Sequence, residues 1–268
     1  MTELKSKKSV LSAILVFSLV FTMMPSEGYA SSVSNKALNW GYTRNTSHKI
    51  PTVSKTTKAL LKKYNGYYVY NENKNEKEIY LTFDLGYDNG YTNKILDVLK
   101  EHEVKATFFV CKAAITANPK AIKRMAEEGH TVANHTVKHI PFYKLSKSSL
   151  KKELQGVEKE YEKVTGEKMA KFVRPPEGGY SEKSLAITQE LGYTSIFWSI
   201  ALPNDWNLKK QPSKKTTLVL FKNQHHEGAI ILLHGVSPVV ADNLDAMLTQ
   251  LEKEGYDFKL VNDMAEKG

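Results

Sequence analysis

The chain has a single cysteine, Cys111, in 268 residues, so no intramolecular disulfide is available and stability has to come from a packed core. Placed at the end of Phe108-Phe109-Val110, that cysteine reads as a small buried apolar residue and not as a nucleophile. Acidic residues are in deficit: 38 Lys and Arg face 29 Asp and Glu, a formal net charge of +9. There is no apolar run of the roughly twenty residues needed to span a bilayer. Residues 10–24, the N-terminal apolar stretch, fall short of it. Lys5, Lys7 and Lys8 precede this stretch and Gly28-Tyr29-Ala30 follows it, the order of a secretory leader cleaved after Ala30, which leaves no membrane span. Internal repeats of fixed period are absent, and no linker after Glu78 divides the rest into two domains.

What remains is a chain with 41% hydrophobic residues, enough to fill a core. The leader holds three Lys and two Glu, so the exported part keeps a net charge of +8. Such a chain is drawn to polyanions, and export turns that expectation from nucleic acid to an anionic envelope polymer. Residues 31–78, rich in Asn, Lys, Ser and Tyr with a helical candidate over 57–64, read as an N-terminal extension packed on the main domain, 79–268.

Within 79–268 strand and helix patterns alternate. Ile79, Leu81 and Phe83 interleave with Tyr80 and Thr82 to make a buried strand, broken by Gly86, Asn89 and Gly90. A helix over 92–102 and a strand over 106–110 follow. The helix over 119–128 is the best signalled, with Asn118 as N-cap, Pro119 in the first turn and Gly129 at its end. The pattern continues with strand 131–133, helix 147–164, strand 171–173, helix 182–191, strand 194–198, helix 215–223, strand 229–233, helix 242–254 and strand 258–261. About seven strand-helix units predict an α/β fold with parallel strands, an irregular (β/α) barrel more than an open sheet.

Both architectures gather functional groups at the carboxyl ends of the strands. Asp84, His135, Arg174, Asp205 and His234 all fall there. An Asp at a strand end is ordinarily a cap, an Arg ordinarily pairs with a surface carboxylate, and a lone His is ordinarily structural. Five such residues on one rim argue for chemistry. Arg174 beside Asp84 would keep it ionised as a general base, and His234, following Ile230 to Leu233, suits an acid beside an apolar pocket. His135 and His139, four residues apart, would share one helical face and grip one metal ion. His225 and His226 read as turn residues. A paired-carboxylate glycosidase reading of Asp84 and Asp88 is weak, because residues so close in a tight loop hardly flank a bond at ~5 to 9.5 Å.

The segments T-F-D-L-G-Y, H-T-V-K-H, R-P-P-E-G-G-Y, F-W-S-I-A-L-P-N-D-W and L-L-H, in this order, resemble the five motifs of the polysaccharide deacetylases, the NodB-homology carbohydrate esterases. The resemblance covers about residue 79 to the C-terminus. With N-W-G-Y near Asn39 it is greatest to the branch that deacetylates muramic acid during δ-lactam formation in spore cortex peptidoglycan. It implies metal-assisted amide hydrolysis on peptidoglycan glycan strands by an exported monomer of the cell wall. Asp84 would then be the base, Arg174 its positioning residue, His234 the acid and Asp205 its partner. His135 and His139 would hold a divalent metal, zinc by the family's pattern, while Leu232, Trp206, Pro176 and Tyr180 would contact substrate. The family's second metal-binding Asp is replaced by Leu85, which implies a weakly held ion or a glycan-binding protein without turnover.

Overall fold

The structure, a computed structural model, describes residues 33–44, 46–70 and 76–266. The leader expectation for 1–30 lies outside the described residues, and no described helix is long and apolar enough to cross a membrane.

Strand β2 (Glu78–Leu85) is buried at all eight positions, as expected of a parallel strand covered on both faces. It pairs in parallel with β9 (Ala229–His234) on one side. On the other side lie β3 (Thr107–Val110) along its second half and β10 (Asp257–Lys259) along its first. Beyond β3 come β4 (Thr131–Asn134), β5 (Phe172–Val173) and β7 (Thr194–Ser195), and beyond β9 comes β8 (Ile200–Ala201). The two ends of this curled parallel sheet are thus two pieces of one bent stretch, where the sequence pattern gave a single strand over 194–198. The gap between them is bridged by 67–70: Tyr67 pairs with Ile196, and Val69 with Ala229. The irregular (β/α) barrel expected from the alternation is this curled sheet with its helices.

The alternation of side chains in β2 sorts its residues into two environments. Ile79, Leu81, Phe83 and Leu85 face outward, into a core shared with helices Tyr91–Glu101 and Pro238–Lys253. Tyr80 belongs to the interior cluster with Phe109, Ala133, Phe172, Ile196 and Ile230. Asp84, two pleats on from Tyr80, therefore opens into the barrel mouth. Its neighbour Leu85 still pairs with Val110 and points the other way.

Local signals account for the helix ends. Asn118 accepts from Ala121 N at the start of helix Pro119–Glu127, and Gly129 takes φ 80° just past its end. The helix Lys112–Ala117 was not evident from the sequence, being short and followed at once by Asn118. The N-terminal segment is tied down by a separate two-stranded sheet, in which β1 (Leu38–Asn39) pairs antiparallel with β6 (Gly179–Tyr180), and helix Lys55–Lys63 follows with Ser54 as its cap.

Candidate active site

Asp84 ends the inward face of β2, and Arg174 follows β5. The Arg174 guanidinium is fully buried and donates from Nη1 to Asp84 Oδ1 at 2.7 Å and from Nη2 to Thr82 Oγ1 at 2.9 Å. Its Nε donates to Ile196 O at 3.2 Å, and its Cζ lies 4.2 Å from the centroid of the Phe109 ring. Arg174 is therefore fixed on every side. Burial alone would raise the Asp84 carboxyl, but the Arg174 guanidinium first, with His234, holds it below the usual carboxylate range.

His234 closes β9 directly beside Asp84 in the register. Its Nδ1 lies 2.9 Å from Asp205 Oδ1, and its backbone N–H donates to Asp205 Oδ2 at 2.9 Å. Burial disfavours the imidazolium, yet the Asp205 carboxylate outweighs it and the His234 pKa is raised. With Nδ1 turned to Asp205, Nε2 is the nitrogen left for chemistry.

The expectation that His135 and His139 share a helical face is corrected by the backbone. Residues 135–139 form an irregular loop in which Thr136 and His139 adopt φ 71° and 55°. The two rings meet all the same, with Nε2 atoms 3.1 Å apart. The loop is pinned from below: Glu153 accepts from Val137 N at 2.9 Å and Lys138 N at 2.7 Å, and Asn134 Oδ1 accepts from Thr136 N. Arg174 contributes again, since its carbonyl accepts from His135 Nδ1 at 2.9 Å, which leaves the Nε2 lone pair free. Burial pushes the His135 pKa down to about 4, so this ring is neutral, as a ligand must be.

These groups face one cavity of about 940 Å³. Asp84, His135, His139, Leu232, His234 and Trp206 line it, the last 56% exposed at the mouth. Arg174 and Asp205 stand behind the wall and act through their partners. Two expected substrate contacts are corrected. Glu177 at φ 57° reverses the chain after the proline pair, so Pro175 and Glu177 form the wall while Pro176 is turned into the protein. Tyr180 is 1% exposed in β6, packed edge-on against Phe197 with its hydroxyl on Thr57 Oγ1, and is a core residue. His225 and His226, expected in a turn, do follow helix Lys214–Gln224 but are buried, His225 on Glu254 and His226 on Ser199. Asp88 accepts from Thr92 and Asn118 side chains at a helix start, away from the cavity. Cys111 is buried, and desolvation pushes its thiol up to about 12.

Residues 71–196 match the polysaccharide deacetylase family. The peptidoglycan-N-acetylmuramic acid deacetylase PdaA of Bacillus subtilis is 43% identical over 235 residues, 88% of each chain. The chain belongs to the polysaccharide deacetylase family. The solved structure of PdaA superposes with a TM-score of 0.83 at 42% identity, covering 88% of this chain and 99% of that one. A family 4 carbohydrate esterase from Bacillus anthracis gives 0.73 at 39% identity, covering 88% and 100%. More distant, at 28% identity and TM-score 0.65 over 71% of this chain and 66% of the other, is a family pseudoenzyme from Bacillus anthracis, of which a mutant with restored activity has also been solved.

In this polysaccharide deacetylase the donor set for a metal is short by one. Among the described residues no three His, Cys, Asp or Glu side chains form a metal-holding group. His135 and His139 fit a divalent cation. Position 85 cannot help, because Leu85 is 1% exposed in the outer core, where its methyls fill the space in which a Cβ on Gly235 would sit at 2.6 Å. Two features escaped the sequence reading. Glu153 had a signal, a carboxylate on the buried stripe of helix Lys147–Thr165 beside Leu150, Leu154 and Val157. For the wall formed by Trp40, Gly41, Tyr42 and Arg44 the signal was the N-W-G-Y segment, which carried a resemblance but no place in the fold.

Proposed function

We propose that the protein is exported and removes N-acetyl groups from peptidoglycan amino sugars at the cell wall, with N-acetylmuramic acid as the acetylated sugar and muramic δ-lactam as the later product. The observation that carries the chemistry is the pairing of Asp84 with Arg174 and of His234 with Asp205, side by side across one cavity. Similarity to PdaA, the leader pattern in 1–30 and the net charge of +9 support the choice of substrate, compartment and partner. The same reading includes spore cortex as a setting and a monomer as the working unit.

The residues divide an amide hydrolysis between them. Asp84, ionised through Arg174, takes a proton from the attacking water. The amide C–N bond breaks, acetate leaves with the water's oxygen, and the amine departs with a proton from His234 Nε2, which Asp205 keeps available. Leu232 and Val236 offer apolar surface to the acetyl methyl. Trp206 at the mouth offers a face to a sugar ring. His135 and His139 are the residues that would hold a divalent cation, zinc by the family's pattern. When bound, such a cation supplies Lewis acidity to the carbonyl and eases ionisation of nearby water. With two protein donors it would be held weakly.

Acetate release from purified peptidoglycan, intact and stripped of stem peptides, with zinc, cobalt or manganese supplied, tests this reading, and mass spectrometry of the digest identifies the sugar. Deacetylated muramic acid or its lactam is expected. Leu85 favours one second reading, a glycan-binding protein without turnover, for which the same experiment gives saturable binding and no acetate.

A further inference from the structure

Arg44 lines the catalytic cavity on the wall supplied by the N-terminal segment, and among the described residues it makes no ion pair. The other charged side chains around that cavity are the carboxylates Asp84 and Glu177, beside the imidazoles of His135, His139 and His234. The Asp84 charge is met by Arg174, behind the wall. Tyr42 is the side chain beside the Arg44 guanidinium, and among the described residues no carboxylate pairs with it, so a substrate carboxylate entering this cavity meets one guanidinium without an anionic partner.

The segment that carries Arg44 is anchored at several points. Thr43 N–H donates to Thr52 O at 2.9 Å, in an antiparallel bridge next to Arg44. Four residues earlier the Trp40 indole N–H donates to Trp198 O at 3.1 Å, and its ring stacks on Phe197 with centroids 4.6 Å apart. His48 Nδ1 lies 2.8 Å from His225 O. The Arg44 Cζ is 6.0 Å from the centroid of the Tyr42 ring. Arg44 is presented by a fixed wall.

Resting on the N-deacetylase reading, we propose that Arg44 reads the lactyl carboxylate of N-acetylmuramic acid and so sets this sugar apart from N-acetylglucosamine. The two sugars carry the same acetamido group at C2, so groups that contact only the amide cannot tell them apart. The difference is an acid attached through oxygen to the adjacent ring carbon, C3. A discriminating group therefore belongs on the cavity wall near the reacting centre but outside it. A guanidinium fork suits a carboxylate there, because two parallel N–H donors meet its two oxygens. The acid must be free: closed as the amide of a stem peptide, it offers Arg44 no charge.

The test uses muramic-acid-containing oligosaccharides with free lactyl carboxylates and the same oligosaccharides as methyl esters, with zinc chloride supplied. Esterification should lower wild-type kcat/KM by about tenfold or more, the size of one charge-assisted contact, with the loss in KM. Arg44→Gln should lose the same factor on the acid and nothing further on the ester, and Arg44→Lys should recover part of it. Arg44→Gln with wild-type kcat/KM on the acid, or still separating acid from ester as wild type does, overturns the proposal. Calorimetric binding of both oligosaccharides to wild type and Arg44→Gln judges Arg44 without turnover. If no acetate is released from any substrate, the deacetylase reading fails. Acid-dependent affinity that disappears in Arg44→Gln then still supports the carboxylate contact, and equal affinities refute it.

Discussion

Replacing Leu85 by Asp restores the family's residue type, and the structure says that it will harm the protein. Leu85 is the last residue of β2, paired with Val110 and turned outward into the core away from His135 and His139. Losing its burial removes roughly 2 kcal/mol. Burying a carboxyl without a partner there costs about 2 kcal/mol more. A loss of about 4 kcal/mol in a domain of this size lowers Tm by roughly 8 to 16 °C. The carboxyl's folded pKa would be raised by burial, so the unfolded state ionises first and the deficit grows as pH rises above about 4. Thermal melts of Leu85→Asp and wild type at pH 4.5 and 7.5, beside calorimetric zinc titration, read both effects. A lower Tm with unchanged zinc affinity, and a larger gap at pH 7.5, is expected. Tighter zinc binding with a Tm kept or raised by the ion would falsify this placement of Leu85 and show that residue 85 can turn toward the imidazoles.

Asp84→Asn should lower kcat at least a hundredfold, since it removes the base. It should also destabilise the fold by about 3 kcal/mol, because it strands the Arg174 charge in the interior; urea denaturation beside acetate assays reads both. Asp205→Asn should move the alkaline limb of the kcat/KM profile to lower pH, since the carboxylate that keeps His234 protonated is gone; an unmoved limb would place the acid elsewhere. Glu153→Ala should free the amides of Val137 and Lys138, weaken zinc binding in calorimetry and cost about 1 to 3 kcal/mol in denaturation. A thiol-specific disulfide reagent should leave native Cys111 unmodified and label it fully once urea unfolds the chain.

The rim residues Asp84, Arg174 and His234 were legible because each ends an apolar run whose direction the pattern fixes. Asp205 was legible as a member of the same rim, but as the partner of His234 only through its motif, for it sits in a loop whose path depends on contacts with β9. The spacing of His135 and His139 suggested a helix because periodicity over five residues cannot separate a helical turn from a loop. What decides is distant: Glu153 caps the loop from another helix, and Arg174 O fixes the His135 ring. Pro176 and Tyr180 were misassigned for a local reason, the positive φ at Glu177, which reverses the chain and which a non-glycine residue does not advertise. N-W-G-Y marked the segment of Trp40 to Arg44 but not its place at the cavity, which is set by pairing with Gly179 and Tyr180, far away in the chain. The stretch 194–198 read as one strand because the bend that ends the observed strand at Ser195 lies inside an apolar run.

The pairing of β2 with β9 also governs how the chain reaches its native state. Ile79 sits opposite Ala229, so the central strand, formed from the first third of the molecule, has to wait for a partner near the end. Parallel contacts so distant in sequence make for slow folding. Until β9 arrives, one edge of an apolar strand is open to pairing with another chain. A chain ending before residue 229 would lose not only the acid His234 but also half of what covers the base-bearing strand, and should collect as aggregate instead of surviving as a partly active fragment.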